Sequence, residues 1–146
     1  RDLTAELLDL QRVRDAGSAR TLGMSPSAGI FVLKRILKIN DRPACYEEIR
    51  LPAARFKGLT AGVVEQHECM LYSMYEARFG VRMLQAEERV KAVAAPREVA
   101  VALQRAPGTP MLHIERVAFT YGREPSELRR CYCDSQEHHY RNAITG

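Results

Sequence analysis

The chain carries one pattern twice, and this repeat restricts its possible folds more than any other feature. When each residue from 18 to 42 is paired with the residue 81 positions further on, five of the 25 pairs are identical and many others keep their hydrophobic class. The identical pairs are Ala19 with Ala100, Leu22 with Leu103, Pro26 with Pro107, Arg35 with Arg116, and Arg42 with Arg123. The shared pattern is a short helix, a turn with proline, an apolar strand that carries an arginine, and a return strand.

A unit of about 80 residues that occurs twice predicts a single domain made of two related halves, because each half has a sheet face that it cannot bury alone. The cleft between two such halves is a natural place for a ligand. The alternative is that two ordinary helix-hairpin units are alike by chance.

Composition indicates a soluble, globular chain. Of the 146 residues, 46% are hydrophobic and 27% are charged. No apolar run approaches the roughly 18 residues that span a bilayer, and no signal peptide is visible, so we expect a cytoplasmic protein without a membrane partner. The net charge is +4, but the basic residues alternate with acidic ones along the chain. Recognition of DNA would need a basic cluster, so we expect no DNA-reading surface in this chain.

The cysteines and histidines do not predict a metal site. The four cysteines are Cys45, Cys69, Cys131 and Cys133, and none forms a C-x-x-C pair. Cys131 and Cys133 share one face of a predicted strand but are too few for zinc, and reduced thiols are the simpler interpretation. His67 and the pair His138 and His139 also lack ligand spacing, which favours surface or pocket-rim roles. We expect no cofactor.

The order of predicted elements is strand, helix, hairpin, long helix, strand, helix, hairpin. Strands are predicted at 7–13, 30–39, 44–51, 82–94, 111–121 and 126–134, the last extending toward Tyr140, and helices at 15–22, 64–79 and 97–103. Residues 53–60 form an irregular connection between the halves. With so many hairpins, the sheet should be mainly antiparallel.

Several short motifs, in this order and spacing, resemble a known family. They are Leu22-Gly23-Met24, Lys34-Arg35, Asp41-Arg42-Pro43, Glu47, Leu51-Pro52, Phe56-Lys57-Gly58-Leu59, Leu71-Tyr72, Phe79-Gly80, the run from Leu112 to Arg116, the turn from Gly122 to Pro125, and Glu127. Together they cover nearly the whole chain. The chain resembles the UTRA (UbiC transcription regulator-associated) domain, the effector-binding module of the HutC branch of GntR-type transcription regulators.

The resemblance implies an α+β fold of the chorismate lyase type, with a mainly antiparallel sheet flanked by helices and two pseudo-symmetric halves. Residues 1–146 would form one domain, with halves at about 7–52 and 82–140 joined by the connection and the long helix. The implied function is non-enzymatic sensing of a small anionic metabolite by a homodimeric repressor. The family's N-terminal winged helix-turn-helix has no counterpart in this chain, so operator DNA would be bound through that separate domain.

The resemblance also implies site residues. Arg35 matches an anion-binding position, and Glu47 and Glu127 match positions that contact polar groups of the ligand. For Arg35, a salt bridge to a glutamate on the neighbouring strand is an equally good interpretation, and for Arg116 an ion pair is favoured. Strand alternation places Arg129 and Cys133 on the same face as Glu127.

Three further candidates lie near the start of the long helix: His67, Met70 and Tyr72. The chain departs from its phosphosugar-sensing relatives here, with Cys69-Met70 where those relatives offer a serine, and with Leu37 where they tend to carry another arginine. These losses favour a carboxylate ligand over a sugar phosphate.

Two other functions remain open: a small lyase of the chorismate lyase type, and a dimerisation module whose pocket is filled by its own side chains.

Overall fold

The computed structural model describes residues 2–141 and 143, so the two ends of the predicted domain 1–146 lie partly outside the described residues. The elements are β1 (Leu3–Arg14), α1 (Ala16–Thr21), β2 (Gly29–Ile39), β3 (Arg42–Pro52), α2 (Ala61–His67), α3 (Leu71–Phe79), β4 (Gln85–Ala94), α4 (Arg97–Ala102), β5 (Pro110–Thr120) and β6 (Glu124–Asp134). Short 3-10 turns lie at Ala53–Arg55 and Tyr121–Arg123.

The six strands form one sheet in the order β1-β2-β3-β6-β5-β4, and each neighbouring pair is antiparallel. Each half contributes three strands, and the halves meet where β3 pairs with β6. The repeat is present in the elements themselves: α1 and α4 start 81 positions apart, at Ala16 and Arg97, and β2 and β5 start 81 positions apart, at Gly29 and Pro110. The predicted α+β, antiparallel fold with two pseudo-symmetric halves is therefore confirmed.

Local sequence explains where the elements begin and end. Asp15 caps α1 by accepting a hydrogen bond from the Gly17 N–H. The hairpin between β2 and β3 turns through Asn40 and Asp41, which have φ angles of 51° and 65°. Such positive values at both central residues suit a two-residue hairpin turn, and asparagine and aspartate tolerate them better than most residues do. Gly80 ends α3 in the left-handed conformation.

The sheet is covered on both faces. On one face, α2, α3 and the segment before them cover the first half, and Phe56, Met74 and Tyr75 are fully buried against β2 and β3. Burying an aliphatic or aromatic side chain of this size contributes about 1.5–3 kcal/mol. On the other face, α1 and α4 cover two smaller apolar clusters, each of which includes residues of both halves. The second half has no helix pair equivalent to α2 and α3 in the described chain.

The prediction of one long helix over 64–79 was wrong. The segment forms two helices, α2 and α3, with a break at 68–70. Glu68 at the break has a φ angle of 46°, and its carbonyl oxygen accepts a hydrogen bond from Arg35 Nη1 at 2.9 Å. No glycine or proline marks the break in the sequence. In a continuous helix the Glu68 carbonyl would accept a hydrogen bond from a backbone N–H. At the break it accepts one from Arg35 on the sheet instead.

Several strand boundaries also differ from the predictions. The first strand begins at Leu3, four residues earlier than predicted, and the third begins at Arg42, two residues earlier. The last strand ends at Asp134 instead of continuing toward Tyr140, because residues 135–137 turn away from the sheet. The fourth strand begins at Gln85, three residues later than predicted. No helix in the described part of the chain has both the length and the apolar character that crossing a membrane requires.

Candidate functional site

Four charged side chains form a buried ion-pair network on the central strands of the sheet. Arg35 on β2 donates from Nε to Glu47 Oε1 at 2.7 Å. Arg129 on β6 donates to both oxygens of Glu127, at 3.0 and 2.8 Å, and its Nη1 lies 3.3 Å from Glu47 Oε2. The two arginines and two glutamates balance in charge, as buried charges must if they are to remain ionised.

Burial by itself would raise the pKa of Glu47, but Arg129 and Arg35 outweigh that effect and the pKa is lowered. Burial would also lower the pKa of Arg129, yet Glu127 and Glu47 raise it well above its usual value. Glu47 and Arg129 are therefore both charged at neutral pH.

Two tyrosines of α3 cover Glu127. The Tyr75 hydroxyl donates to Glu127 Oε2 at 2.6 Å inside the core, whereas the Tyr72 hydroxyl lies 3.4 Å from Glu127 Oε1 and its ring is partly exposed. Burial, followed by the charge of Glu127, raises the pKa of Tyr75 well above the ordinary value. Tyr75 thus closes the back of the network, and Tyr72 stands at its opening.

An open pocket of about 400 Å³ lies next to Tyr72, between the start of α3 and the second half of the sheet. Its lining residues are Leu3, Cys69, Met70, Leu71, Tyr72, Ser73, Arg116 and Arg129. The Arg129 guanidinium carbon lies 5.4 Å from the centre of the Tyr72 ring, which keeps that cation against the pocket wall. Two guanidinium groups and the first turn of a helix therefore face one cavity.

Arg116 makes the ion pair that the sequence favoured. Its Nε lies 2.8 Å from Glu88 Oε2 on β4, and its Nη1 lies 3.3 Å from the Tyr72 hydroxyl. The Arg116 side chain nevertheless stays 31% exposed, against 3% for Arg35. An anion that enters the pocket can reach Arg116 without breaking into the core.

A second pocket, of about 290 Å³, reaches Arg35 from the side of β1 and α2. Its lining includes three glutamates beside the single arginine, namely Glu6, which is paired with Lys38, Glu65 and Glu68. That surplus of negative charge makes it a poor site for an anion, so the pocket at Arg116 is the better candidate.

The structure brings together most of the residues that the sequence singled out, in two layers. Met70, Tyr72 and Arg129 line the open pocket, while Glu47 and Glu127 lie beneath it in the buried network. Arg35 belongs to that buried network too, paired with the glutamate of the neighbouring strand. A ligand-binding role for each of these residues stays a prediction.

Two predicted site residues lie elsewhere. His67 ends α2 and lies outside the lining of the open pocket. Cys133 lines a separate pocket of about 210 Å³ near the C-terminal segment. That pocket is bounded by His138, His139 and Cys45 as well.

Sequence reasoning missed Arg116 as a pocket residue, Ser73 in the first turn of α3, and Cys45. Arg116 could have been found from the repeat, since it occupies the position of Arg35 in the second half. Cys45 lies two residues before Glu47 on one strand, so alternation already places both side chains on the same face. Ser73 had no usable signal, because the helix break that sets its position was not predicted.

An antiparallel sheet built from two related halves, with a mostly apolar pocket that two arginines and the start of α3 line, has the architecture of the chorismate lyase-like class. The family model described as the UTRA domain matches residues 1–139. The chain therefore belongs to the UTRA domain family, and the resemblance found in its motifs is confirmed.

Relatives and solved structures agree with this assignment. The chain is 29% identical over 113 residues to the HTH-type transcriptional regulator Rv0792c of Mycobacterium tuberculosis, covering 75% of this chain and 40% of that protein. It is 22% identical over 128 residues to the probable fructoselysine utilization operon transcriptional repressor of Escherichia coli K12, covering 88% of this chain and 52% of that protein. The chain thus spans about half or less of each of these relatives.

Among solved structures, the chain is similar to the ligand-binding domain of a protein assigned to the GntR family of transcriptional regulators, from Bordetella bronchiseptica. The TM-score is 0.94 and the identity 34%, over 98% of this chain and 92% of that one. Over nearly its whole length this chain is therefore similar to the ligand-binding domain of a regulator of that family.

Proposed function

We propose that this domain senses a small anionic metabolite, of the carboxylate class, in the 400 Å³ pocket beside Arg116 and Arg129, and that it has no catalytic activity. The observation that carries the proposal is the convergence of two guanidinium groups on one open cavity. Arginine binds a carboxylate through two parallel hydrogen bonds, which gives direction as well as charge.

The start of α3 adds to this preference for anions. Leu71, Tyr72 and Ser73 form the first turn of the helix and line the pocket. The N–H groups of a first helical turn have no partners within the helix and attract negative charge. An anion in the pocket would therefore meet guanidinium groups on the sheet side and the helix N-terminus on the other.

The choice of a carboxylate over a sugar phosphate rests on what the pocket wall holds. Cys69 and Met70 stand where phosphosugar-sensing relatives offer a serine, and both line the pocket. Leu37, the position where such relatives tend to carry an arginine, adds no charge.

In the full regulator, we propose that effector binding changes the affinity of paired DNA-binding heads for operator DNA in the cytoplasm. Binding at the pocket can change DNA affinity only if the two states of the regulator bind the effector with different affinities. The Escherichia coli relative is named as a repressor, which supports repression as the mode of regulation. Because the relatives are regulators, sensing is favoured over lyase chemistry.

We also propose a homodimer, with β4 at or near the contact between copies. This edge strand is exposed at nearly every position, and Val90 on it is 46% exposed. On β1 at the opposite edge, Leu8 is 43% exposed. Light scattering should show a dimer at tens of micromolar, and a monomer at that concentration would contradict this assembly.

The sensing proposal can be tested by thermal denaturation of the domain against a panel of small carboxylates, sugar phosphates and neutral sugars. A ligand present at 100 times its dissociation constant stabilises the fold by about 2.7 kcal/mol. We expect carboxylates to raise the melting temperature of the wild type and of Arg78→Ala, which removes an exposed arginine at the far end of α3. Arg116→Ala should abolish the shift. A shift produced only by neutral sugars, or one retained in Arg116→Ala, would contradict the proposal.

A further inference from the structure

Three cysteines that are scattered along the sequence meet on the central strand pair of the sheet. Cys45 on β3 and Cys133 on β6 are direct partners in the β3–β6 ladder, with their sulfur atoms 2.9 Å apart. Cys131, two residues before Cys133 on the same strand, places its sulfur 3.5 Å from that of Cys133. The three sulfur atoms all lie within 4.8 Å of one another.

The absence of a metal site was predicted from two cysteines only, and the strand register adds the third. Free cysteines usually pack as small apolar side chains against hydrocarbon. Here the three sulfur atoms instead point at one another. The arrangement concentrates three soft donor atoms at one point, which is the donor chemistry that thiophilic metal ions prefer.

A fourth donor lies at the edge of this cluster. The pocket of about 210 Å³ that exposes Cys45 and Cys133 is also bounded by His138 and His139 from the segment after β6. His138 is half-buried, whereas His139 is exposed. The pocket therefore gives an ion a route to Cys45 and Cys133, with His138 among the residues of the same lining.

We propose that Cys45, Cys131 and Cys133, completed by His138, bind a thiophilic metal ion, with Zn²⁺ the ion that suits this donor set. Three thiolates and one imidazole form one of the common tetrahedral donor sets of structural zinc. With zinc–sulfur bonds of about 2.3 Å, tetrahedral sulfur atoms lie about 3.8 Å apart. The observed sulfur–sulfur distances of 2.9 and 3.5 Å would each have to lengthen by less than about 1 Å to reach this value.

Binding at this site would join the two halves of the domain. Cys45 belongs to the first half, and Cys131 and Cys133 belong to the second. Coordination releases the thiol protons to solvent, so affinity should rise with pH. Among the described residues, the site shares no lining residue with the pocket at Arg116. A variant can therefore lose metal binding and keep effector binding, or the reverse.

The test is a titration of the reduced, metal-free domain with Co²⁺ as a spectroscopic probe, followed by displacement with Zn²⁺. We expect one ion per chain, with the absorption bands of tetrahedral cobalt bound to thiolates. Cys133→Ser should weaken binding more than about 100-fold, since even the loss of outer-shell partners costs about 10- to 100-fold. His138→Ala should weaken Zn²⁺ binding at least about 10-fold. An ion that needs only three sulfur atoms, such as Cu⁺, would be insensitive to His138→Ala.

Cys69→Ser is the matched control, because Cys69 lies away from the cluster, at the start of α3. It should keep the metal stoichiometry of the wild type. If Cys133→Ser does not fold, alkylation of the wild type keeps the proposal testable: bound Zn²⁺ should protect Cys45, Cys131 and Cys133 while Cys69 still reacts. No uptake by the reduced protein at one ion per chain, or uptake that survives Cys133→Ser, would overturn the proposal.

Discussion

Arg35 and Arg116 occupy the same position in the two halves of the domain but have opposite environments. Each lies near the middle of the arginine-bearing strand of its half, 81 residues apart. Arg35 is held between Glu47 and the Glu68 carbonyl, with its side chain 3% exposed. Arg116 pairs with Glu88 on the outer strand and keeps 31% of its side chain exposed beside an open pocket.

The difference arises from the segment between the halves. Residues 53–79 fold back over β2 and β3 and bury Arg35, while no described segment covers β5 in the same way. The two halves thus carry equivalent arginines, and one covering segment buries one of them in the core and leaves the other at the wall of the pocket. We expect the buried region to determine stability and the open region to determine binding.

Arg35→Ala should produce the largest effect on stability. Removing one partner of a buried ion pair leaves the other charge poorly compensated, which costs about 3–5 kcal/mol of the free energy of unfolding. The break between α2 and α3 would also lose its hydrogen bond to the sheet. Chemical denaturation of the variant measures this loss. An unchanged free energy of unfolding, together with lost affinity for an identified effector, would instead make Arg35 the anion-binding residue that the family resemblance implies.

Tyr75→Phe should have an intermediate effect. The Tyr75 hydroxyl makes a 2.6 Å hydrogen bond to buried Glu127, and leaving a buried acceptor short of a donor costs about 1–3 kcal/mol. Tyr72→Phe is the matched control on the same helix, since its hydroxyl contacts are 3.3 and 3.4 Å long and lie at the pocket. Thermal melts of the two variants should differ clearly. If both variants lowered the melting temperature equally, the assignment of Tyr75 to a buried region and Tyr72 to an open one would be wrong.

Arg116→Ala should have the smallest effect on the free energy of unfolding. Its ion pair with Glu88 is partly exposed, and pairs of this kind contribute about 0–1 kcal/mol. Denaturation of Arg116→Ala beside Arg35→Ala measures the contrast between the two halves directly. A loss as large as that of Arg35→Ala would mean that both equivalent positions are structural and that the proposed binding wall is part of the core.

Much of the fold could be predicted from the sequence, because its signals are local. The periods of apolar residues predicted six strands and the short helices, and Asn40-Asp41 marked the hairpin turn. The helix break at Glu68 could not be predicted, since its cause is Arg35, which lies more than 30 residues away in the chain. The candidate site, too, could be predicted from the sequence only in part. Glu127 follows from the family resemblance and Arg129 from strand alternation relative to it, whereas the distinction between a buried and an exposed arginine follows from neither.

The sequence alone determined the two-half plan, the antiparallel hairpins and the family of this protein, because each depends on residue order and on short-range propensity. The tertiary structure decided which of two equivalent arginines is buried, which residues form the wall of the open pocket, and that Cys45 meets Cys131 and Cys133. Each of these depends on strand register or on how the segment between the halves packs. Such contacts join residues far apart in the chain, and only the folded sheet brings them together.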